Sequence, residues 1–371
     1  MRIGCPKEIK NNENRVGIIP NAAQAYVNAG HEVFIEKGAG LGSAITDEEY
    51  VKAGAKILSS AKEVWDIAEM LVKVKEPLES EYELMRENQI VYTYFHFAAN
   101  EPLLKACIER KIISVAYETV QEGYSLPLLK PMSEVAGRMA PIMGSYYLGK
   151  TYGGRGILPM GVTGVAPANI LILGGGTVGT NAAKIAAGLG ANVTILDVSL
   201  ERMEYLSEIM PPNVNCVYSD KISLENYLKT SDMVIGAVLI PGAKAPKLVT
   251  KKDLKLMKKG AVLVDVAIDQ GGCFETSHAT THTEPIFAID DVVHYCVANM
   301  PGMYANTSTF ALNNATIKYG LFIANKGLEK ACKESVAISK GVNTYKGVIT
   351  YKPVAEAFEL EKNYKDLDKV L

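Results

Sequence analysis

Asn169-Ile170-Leu171-Ile172-Leu173-Gly174-Gly175-Gly176-Thr177-Val178-Gly179 decides the fold of this chain. Five residues of strand character run into G-x-G-x-x-G, and a small-residue helix follows from Thr177 to Leu189. Gly174 permits the tight turn, Gly176 lets backbone N–H groups approach a pyrophosphate, and Gly179 lets helix and strand pack closely. The helix amino terminus, with Thr177 and Val178, offers unpaired donors to phosphate charge. Gly190 stops the helix, and the next strand, Asn192–Leu196, ends at Asp197, 23 residues beyond Gly174. A carboxylate there accepts hydrogen bonds from an adenosine ribose and repels a 2′-phosphate, so NAD is expected over NADP. Arg202 complicates that choice, because a basic side chain can also pair with a phosphate.

Outward from this motif, strands are expected at Met233–Val238 and Ala261–Val266, with the Lys-rich run Lys251–Lys259 as the wet face of a helix. An earlier series has β-rich runs at Arg2–Cys5, Glu32–Glu36, Met70–Lys75, Ile90–His96 and Ile113–Glu118. Helix-like stretches such as Asn21–Ala29 and Glu101–Lys111 separate them. Such alternation indicates parallel sheet with crossover helices. The Gly- and Pro-rich stretch from Tyr152 to Pro167 lies between the two series, and Ser308–Asn325 reads as a long helix. The fold class is therefore α/β: two Rossmann-like domains with mainly parallel, doubly wound sheets and an active-site cleft between them. Their expected extents are 1–131 plus 304–371, a discontinuous substrate domain, and 132–303, the dinucleotide domain.

At 371 residues, 48% apolar and 22% charged, the chain has the make-up of a globular protein and not of a disordered one. With 39 basic against 41 acidic residues, nothing asks for nucleic acid or a membrane surface. Gly156–Ala183 and Val292–Ile317 lack Asp, Glu, Lys and Arg, but the first holds seven glycines and two prolines and the second four asparagines. Neither reads as a membrane span. The amino terminus has no apolar leader, and a cytoplasmic location is expected. The six cysteines, with no C-x-x-C pair, read as reduced thiols.

Charged groups at strand ends are the candidates for chemistry, because ligands of open α/β sheets bind outside the carboxyl ends of strands. Lys75 and His96 end two strands of the first series, and Arg15 lies in the loop after the first strand. Taken singly, each has a plainer reading: a surface charge, a packed core histidine, a salt-bridge partner. Asp269 lies in a loop beside Gly271 and Gly272, and reads either as a loop cap or as a carboxylate facing a nicotinamide. A His and an Asp meeting over that ring would make a proton-transfer pair for dehydrogenation. His278-x-x-x-His282 has zinc-ligand spacing but lacks the glutamate of a zinc-protease helix, and no metal is expected.

The blocks Pro6-Lys7-Glu8, Asn14-Arg15-Val16, Val72–Pro77, Ala116-Tyr117-Glu118-Thr119-Val120, Pro131–Arg138, Ile235–Gly242, Asp265–Glu275 and Val293–Gly302 occur in order along the chain. Together they resemble bacterial L-alanine dehydrogenases, and the amino-terminal part is similar to transhydrogenase and saccharopine-type relatives. The resemblance implies NAD-dependent, reversible oxidative deamination of L-alanine to pyruvate and ammonium by a homohexamer. It makes His96 and Asp269 catalytic, and gives the substrate to Arg15, Lys75, Tyr94, Met132 and Asn299. Cofactor contacts are implied for Ser133, Asp197, Arg202, Ser219, Val238, Leu239, Val266, Ala267, Ile268, Asp269, Val297, Ala298, Asn299 and Met300. Thr163, His278 and Met303–Asn306 depart from the family pattern. Phe322 and Lys326 stand where some members are reported to hold a metal, so none is implied here.

Overall fold

The structure, a computed structural model, describes residues 1–238 and 245–371. The chain divides into two compact units, Met1–Met132 with Tyr304–Leu371, and Ser133–Met303. The first unit begins with β1 (Arg2–Cys5), β2 (Glu32–Glu36), β3 (Lys56–Leu58), β4 (Met70–Val72), β5 (Ile90–Thr93) and β6 (Ile113–Ala116). The second contributes β7 (Asn169–Leu173), β8 (Asn192–Asp197), β9 (Val214–Tyr218), β10 (Met233–Gly236), β11 (Val262–Asp265), β12 (Ile286–Ile289) and β13 (Val292–Tyr295). The returning segment adds β14 (Val342–Tyr345) and β15 (Val348–Ile349) to the first sheet.

Sheet order in the first unit is β15-β14-β6-β5-β4-β1-β2-β3, and in the second β12-β13-β11-β10-β7-β8-β9. Only β14 and β15 in the first sheet, and β12 against β13 in the second, pair antiparallel. The α/β, mainly parallel reading therefore holds for both units. In each sheet the chain starts at an inner strand, runs outward to one side and returns to the other. The order reverses between β1 and β4 in the first unit and between β10 and β7 in the second. Connections diverge at such a point and leave room for a ligand.

Apolar side chains on both faces of the second sheet form two cores, one around Ile170, Ile172, Val262 and Tyr295, the other around Leu171, Val234, Leu263 and Phe274. Strands buried on both faces need no polar alternation, which is why NILIL reads as a continuous apolar run. In the first unit Val64, Trp65, Leu71, Val91, Phe95 and Leu103 fill one core.

The helix Ala305–Lys326 runs through the first unit, somewhat longer than the expected Ser308–Asn325. Its Thr309 Oγ1 and Asn313 Oδ1 accept from the backbone N–H groups of Val16 and Ile19 at 3.1 and 2.9 Å. One of the asparagines that spoil a membrane reading, Asn313, thus helps hold the loop after β1. No helix among the described residues is long and apolar enough to cross a membrane.

The expected strands at Met70–Lys75, Ile90–His96 and Ile113–Glu118 each end two or three residues early. Lys251–Lys259 forms only a short 3₁₀ turn, Asp253–Leu256, instead of an extended helix. Asp253 there accepts from the backbone N–H and hydroxyl of Thr250, both at 2.8 Å, closing the turn on itself.

His294 on β13 is fully buried, its Nδ1 against the Val292 carbonyl at 3.0 Å and its Nε2 against the Thr276 hydroxyl at 2.8 Å. Its ring stacks on Phe287. Burial holds the imidazole below its ordinary value. As pH falls, the unfolded chain therefore takes up this proton first, near pH 6.5, and stability declines from there until the folded ring titrates. His294→Gln should flatten this acid slope. Unfolding midpoints measured at about pH 7.5 and about pH 5.5 should then differ less than in the parent; an unchanged slope refutes the assignment.

Candidate active site

In the first unit the site is built at the reversal between β1 and β4. Strand pairing stops where buried carboxylates take over the backbone donors. Glu8, just past β1, accepts from Val74 N at 2.6 Å and Lys75 N at 3.2 Å. Its other oxygen meets Lys73 Nζ at 3.3 Å, and Lys73 also reaches Glu81 at 3.0 Å. Burial pushes the Glu8 carboxyl above its ordinary value, while Lys73 lowers it. Burial works against the Lys73 charge, but Glu8 and Glu81 more than offset it. The Lys75 backbone is thus bolted to the floor of the unit, and its carbonyl accepts from Thr93 Oγ1 at 3.0 Å.

Arg15 is 2% exposed. Its Nε and Nη2 donate to the two oxygens of Glu13 at 2.7 and 2.6 Å, and Nη1 lies 3.0 Å from Met132 Sδ. Burial opposes the guanidinium charge, and Glu13 overcomes it. One edge of the fork is therefore fixed before any ligand arrives. His96 stands three residues past the end of β5, in the left-handed region at φ 50°. Its ring stacks on Tyr94, centroids 5.7 Å apart and planes within 9°. The Tyr94 hydroxyl donates to the Leu128 carbonyl at 2.5 Å. Glu76, beside Lys75, takes Lys10 at 2.5 Å. Burial raises its pKa, but Lys75, Lys10 and His96 together hold it below the usual carboxylate range. The unit thus collects Arg15, Lys75, Tyr94, His96 and Met132 around one set of strand ends.

In the second unit the glycine loop follows β7 at the other reversal. Gly174 has φ 96°, and a Cβ on it would lie 2.8 Å from Val238 Cγ2 at the end of β10. A Cβ on Gly179 would overlap the Gly174 carbonyl oxygen. Gly176, by contrast, has no atom within 4 Å of where a Cβ would stand, so the loop is open there. Asp197 accepts from Gly175 N at 2.6 Å and Ser199 N at 2.9 Å, and its carbonyl accepts from Ser219 N at 2.8 Å. Arg202 directs Nε to the Gly175 carbonyl at 2.6 Å and Nη2 to Thr180 Oγ1 at 2.7 Å, with its guanidinium over Tyr205. Ser133 sits on the helix Lys130–Tyr147, whose Gly137 packs onto the Val178 carbonyl beside the loop.

Past β11, Asp265 accepts from the N–H groups of Ala267, Cys273 and Phe274 and from Ser277 Oγ. Val266 N donates to the Gly236 carbonyl, and Ile268–Gln270 forms one 3₁₀ turn that carries Asp269. Asp269 Oδ1 accepts from Asn299 N at 3.2 Å, which joins this loop to Val297–Met300. Ala298 N donates to the Thr280 carbonyl, and Met300 is buried. Leu239 lies outside the described residues. The two spaced histidines take different partners: His278 stacks on Phe287, and His282 Nε2 lies 3.3 Å from the Asn299 carbonyl. Phe322 carries Lys326 above its ring.

Glu8, Glu13 and Glu118 hold site residues and have no role in the sequence reading. The signal was present, since each lies inside or beside a block that carries the family resemblance.

The Alanine dehydrogenase/PNT N-terminal domain matches residues 4–136, and the Alanine dehydrogenase/PNT C-terminal domain matches 140–352. The chain belongs to the alanine dehydrogenase/PNT family. A family member from Methanococcus maripaludis, named alanine dehydrogenase, is 56% identical over 373 aligned positions, covering 100% of both chains. A solved L-alanine dehydrogenase matches with a TM-score of 0.93 and 47% identity, over 97% of this chain and 99% of that one. A transhydrogenase from Sinorhizobium meliloti matches with a TM-score of 0.80 and 25% identity, over 95% and 99%. The dinucleotide-binding fold common to the family fits the open, donor-rich loop at Gly176.

The loop geometry separates packing from ligand approach. Gly179→Ala should destabilise the fold by about 1–3 kcal/mol through overpacking against Gly174. Gly176→Ala should leave the thermal midpoint unchanged and weaken dinucleotide binding, because its methyl stands where phosphate approaches. Thermal unfolding and a fluorescence titration with reduced dinucleotide distinguish the two; equal behaviour in both assays contradicts the assignment.

Proposed function

We propose that the chain catalyses the reversible oxidative deamination of L-alanine: L-alanine, NAD⁺ and water give pyruvate, ammonium, NADH and a proton. Full-length identity to the Methanococcus maripaludis alanine dehydrogenase carries this reading. Arg15, Lys75, His96 and Asp269, which stand in the sequence blocks that resemble the family, are the residues we assign to it. NAD is favoured over NADP because Asp197 presents a carboxylate at the end of β8, and Arg202 spends Nε and Nη2 on the loop and on Thr180. The working form is a cytoplasmic homohexamer.

The dinucleotide, when bound, accepts the hydride that leaves the substrate Cα. Gly174, Gly176 and Gly179 cradle its phosphates, with Thr177 and Val178 at the helix start. Asp197, Arg202 and Ser219 surround the adenosine end. Val238, Leu239, Ser133, the Val266–Asp269 loop and Val297–Met300 hold the nicotinamide half. Arg15, already fixed by Glu13, clamps the substrate carboxylate, and Lys75 places positive charge at the carbonyl oxygen that develops. The family pattern also assigns Tyr94, Met132 and Asn299 to the substrate.

The amine must be neutral for oxidation, since an ammonium has no lone pair for the forming C=N bond. Asp269 stabilises the resulting iminium by its negative charge and orients the attacking water. His96 accepts a proton as that water adds and returns one to nitrogen as the carbinolamine collapses.

A panel of amino acids, assayed by NADH appearance, tests the substrate. L-Alanine should be the one strong substrate. A preference for lysine-derived substrates would favour a saccharopine-type enzyme, and dinucleotide binding without turnover a transhydrogenase-like protein. His96→Ala and Asp269→Ala should each lower kcat by about 10²–10⁴-fold while NADH binding persists. Near-parent turnover in either variant removes that residue from the mechanism.

A further inference from the structure

The Tyr117-Glu118-Thr119 block follows β6, the sheet neighbour of β5. Glu118 is half-buried and reaches sideways to the end of β5. Its Oε1 accepts from His96 N at 2.6 Å and from Phe95 N at 3.1 Å, and Oε2 lies 3.3 Å from the same Phe95 N–H. Two successive backbone donors curl around one carboxylate, the form of an anion-binding nest. His96 itself takes φ 50° and ψ 40°, left-handed values uncommon outside glycine, and Glu118 holds the peptide plane that leads into that turn.

The residues around Glu118 act in the same direction. Tyr117 packs edge-on against Tyr92 and Tyr94, centroids 4.4 and 5.0 Å away, and its hydroxyl donates to the Lys73 carbonyl at 3.1 Å. Tyr94 in turn stacks on the His96 ring. Downstream, Ala99 N returns to the His96 carbonyl at 3.0 Å, and Asn100 caps the helix Glu101–Glu109. His96 is therefore held from the ring side by Tyr94 and from the backbone side by Glu118.

We propose that Glu118 is a positioning residue for the reaction: its carboxylate anchors the peptide plane that leads into the left-handed turn at His96, and so aims the imidazole at the substrate. The inference rests on His96 being the acid/base of the proposed reaction. Glu118 touches neither the substrate nor the proton in flight. Its effect belongs to kcat, because the groups assigned to substrate carboxylate and dinucleotide binding are held by other residues.

The test uses the full-length enzyme and four variants. Glu118→Leu removes the acceptor at similar size, and should lower kcat about a hundredfold, the cost of misplacing a reacting group by about 1 Å. KM for NAD should stay within about twofold. Glu118→Asp withdraws the carboxylate by one methylene, and should also lose kcat, which keeps the test open if the leucine variant fails to fold. Glu118→Gln keeps a carbonyl acceptor and should recover most of the loss. Parent-like kcat in the leucine or aspartate variant overturns the proposal. So does equal damage in Glu118→Gln and Glu118→Asp, or a rise in KM for NAD that matches the fall in kcat. His96→Ala stands apart as the control: if it retains parent turnover, the assignment of His96 fails, and the failure does not lie with Glu118.

Discussion

The second unit depends on how closely the helix Thr177–Gly188 approaches the end of β7. The Gly174 carbonyl occupies the space that a side chain on Gly179 would need. That contact sets the helix axis, and the axis decides where the N–H groups at its amino terminus point. Pointing outward past Gly176, such donors suit a phosphate without any charged side chain. The neighbouring strands then supply the rest. Asp197 from β8 holds Gly175, and Val238, two residues past β10, closes on Gly174. A parallel sheet brings all these strand ends to one edge, and the reversal of strand order leaves that edge open.

Both units turn their chain by the same device. A carboxylate at or just past the end of one strand accepts the N–H groups of a loop that has left the ladder. Glu8 does this for Val74 and Lys75, Glu118 for Phe95 and His96, Asp197 for Gly175 and Ser199, and Asp265 for Ala267, Cys273 and Phe274. Hydrogen bonds to a charged acceptor are stronger than neutral ones, and a buried unpaired N–H is costly. The loops are therefore stiff, although none belongs to a helix or strand. Stiffness matters at these positions because Lys75, His96 and Asp269 lie on or beside such loops. The positive charge that the net balance hides, Arg15 and Lys73, is likewise buried and paired.

Much of this was legible in the residues. NILIL with its glycines marked β7 and the following helix, and the strand ends nominated Lys75, His96 and Asp269. The strand lengths were not legible. Val74-Lys75 and Tyr94-Phe95-His96 keep strand composition after pairing has ceased, and only the carboxylates facing them reveal the end. Glu8 and Glu118 lie far from those residues in sequence, so spacing cannot announce the bond. The short strands at Lys56–Leu58, Val214–Tyr218 and Ile286–Ile289 lie at or next to sheet edges and carry polar residues or few positions, too little for a pattern to emerge. Lys251–Lys259 has the lysine spacing of a wet helix, yet Asp253 and Thr250 close a local turn first.

In the proposed reaction hydride passes from the Cα of L-alanine to the dinucleotide held at the Gly174–Gly179 loop. Deuterium follows that transfer directly. With L-alanine deuterated at Cα, the reduced dinucleotide should carry one deuterium for each pyruvate released. Reduced dinucleotide carrying only solvent hydrogen, or none formed although the dinucleotide binds, would contradict it.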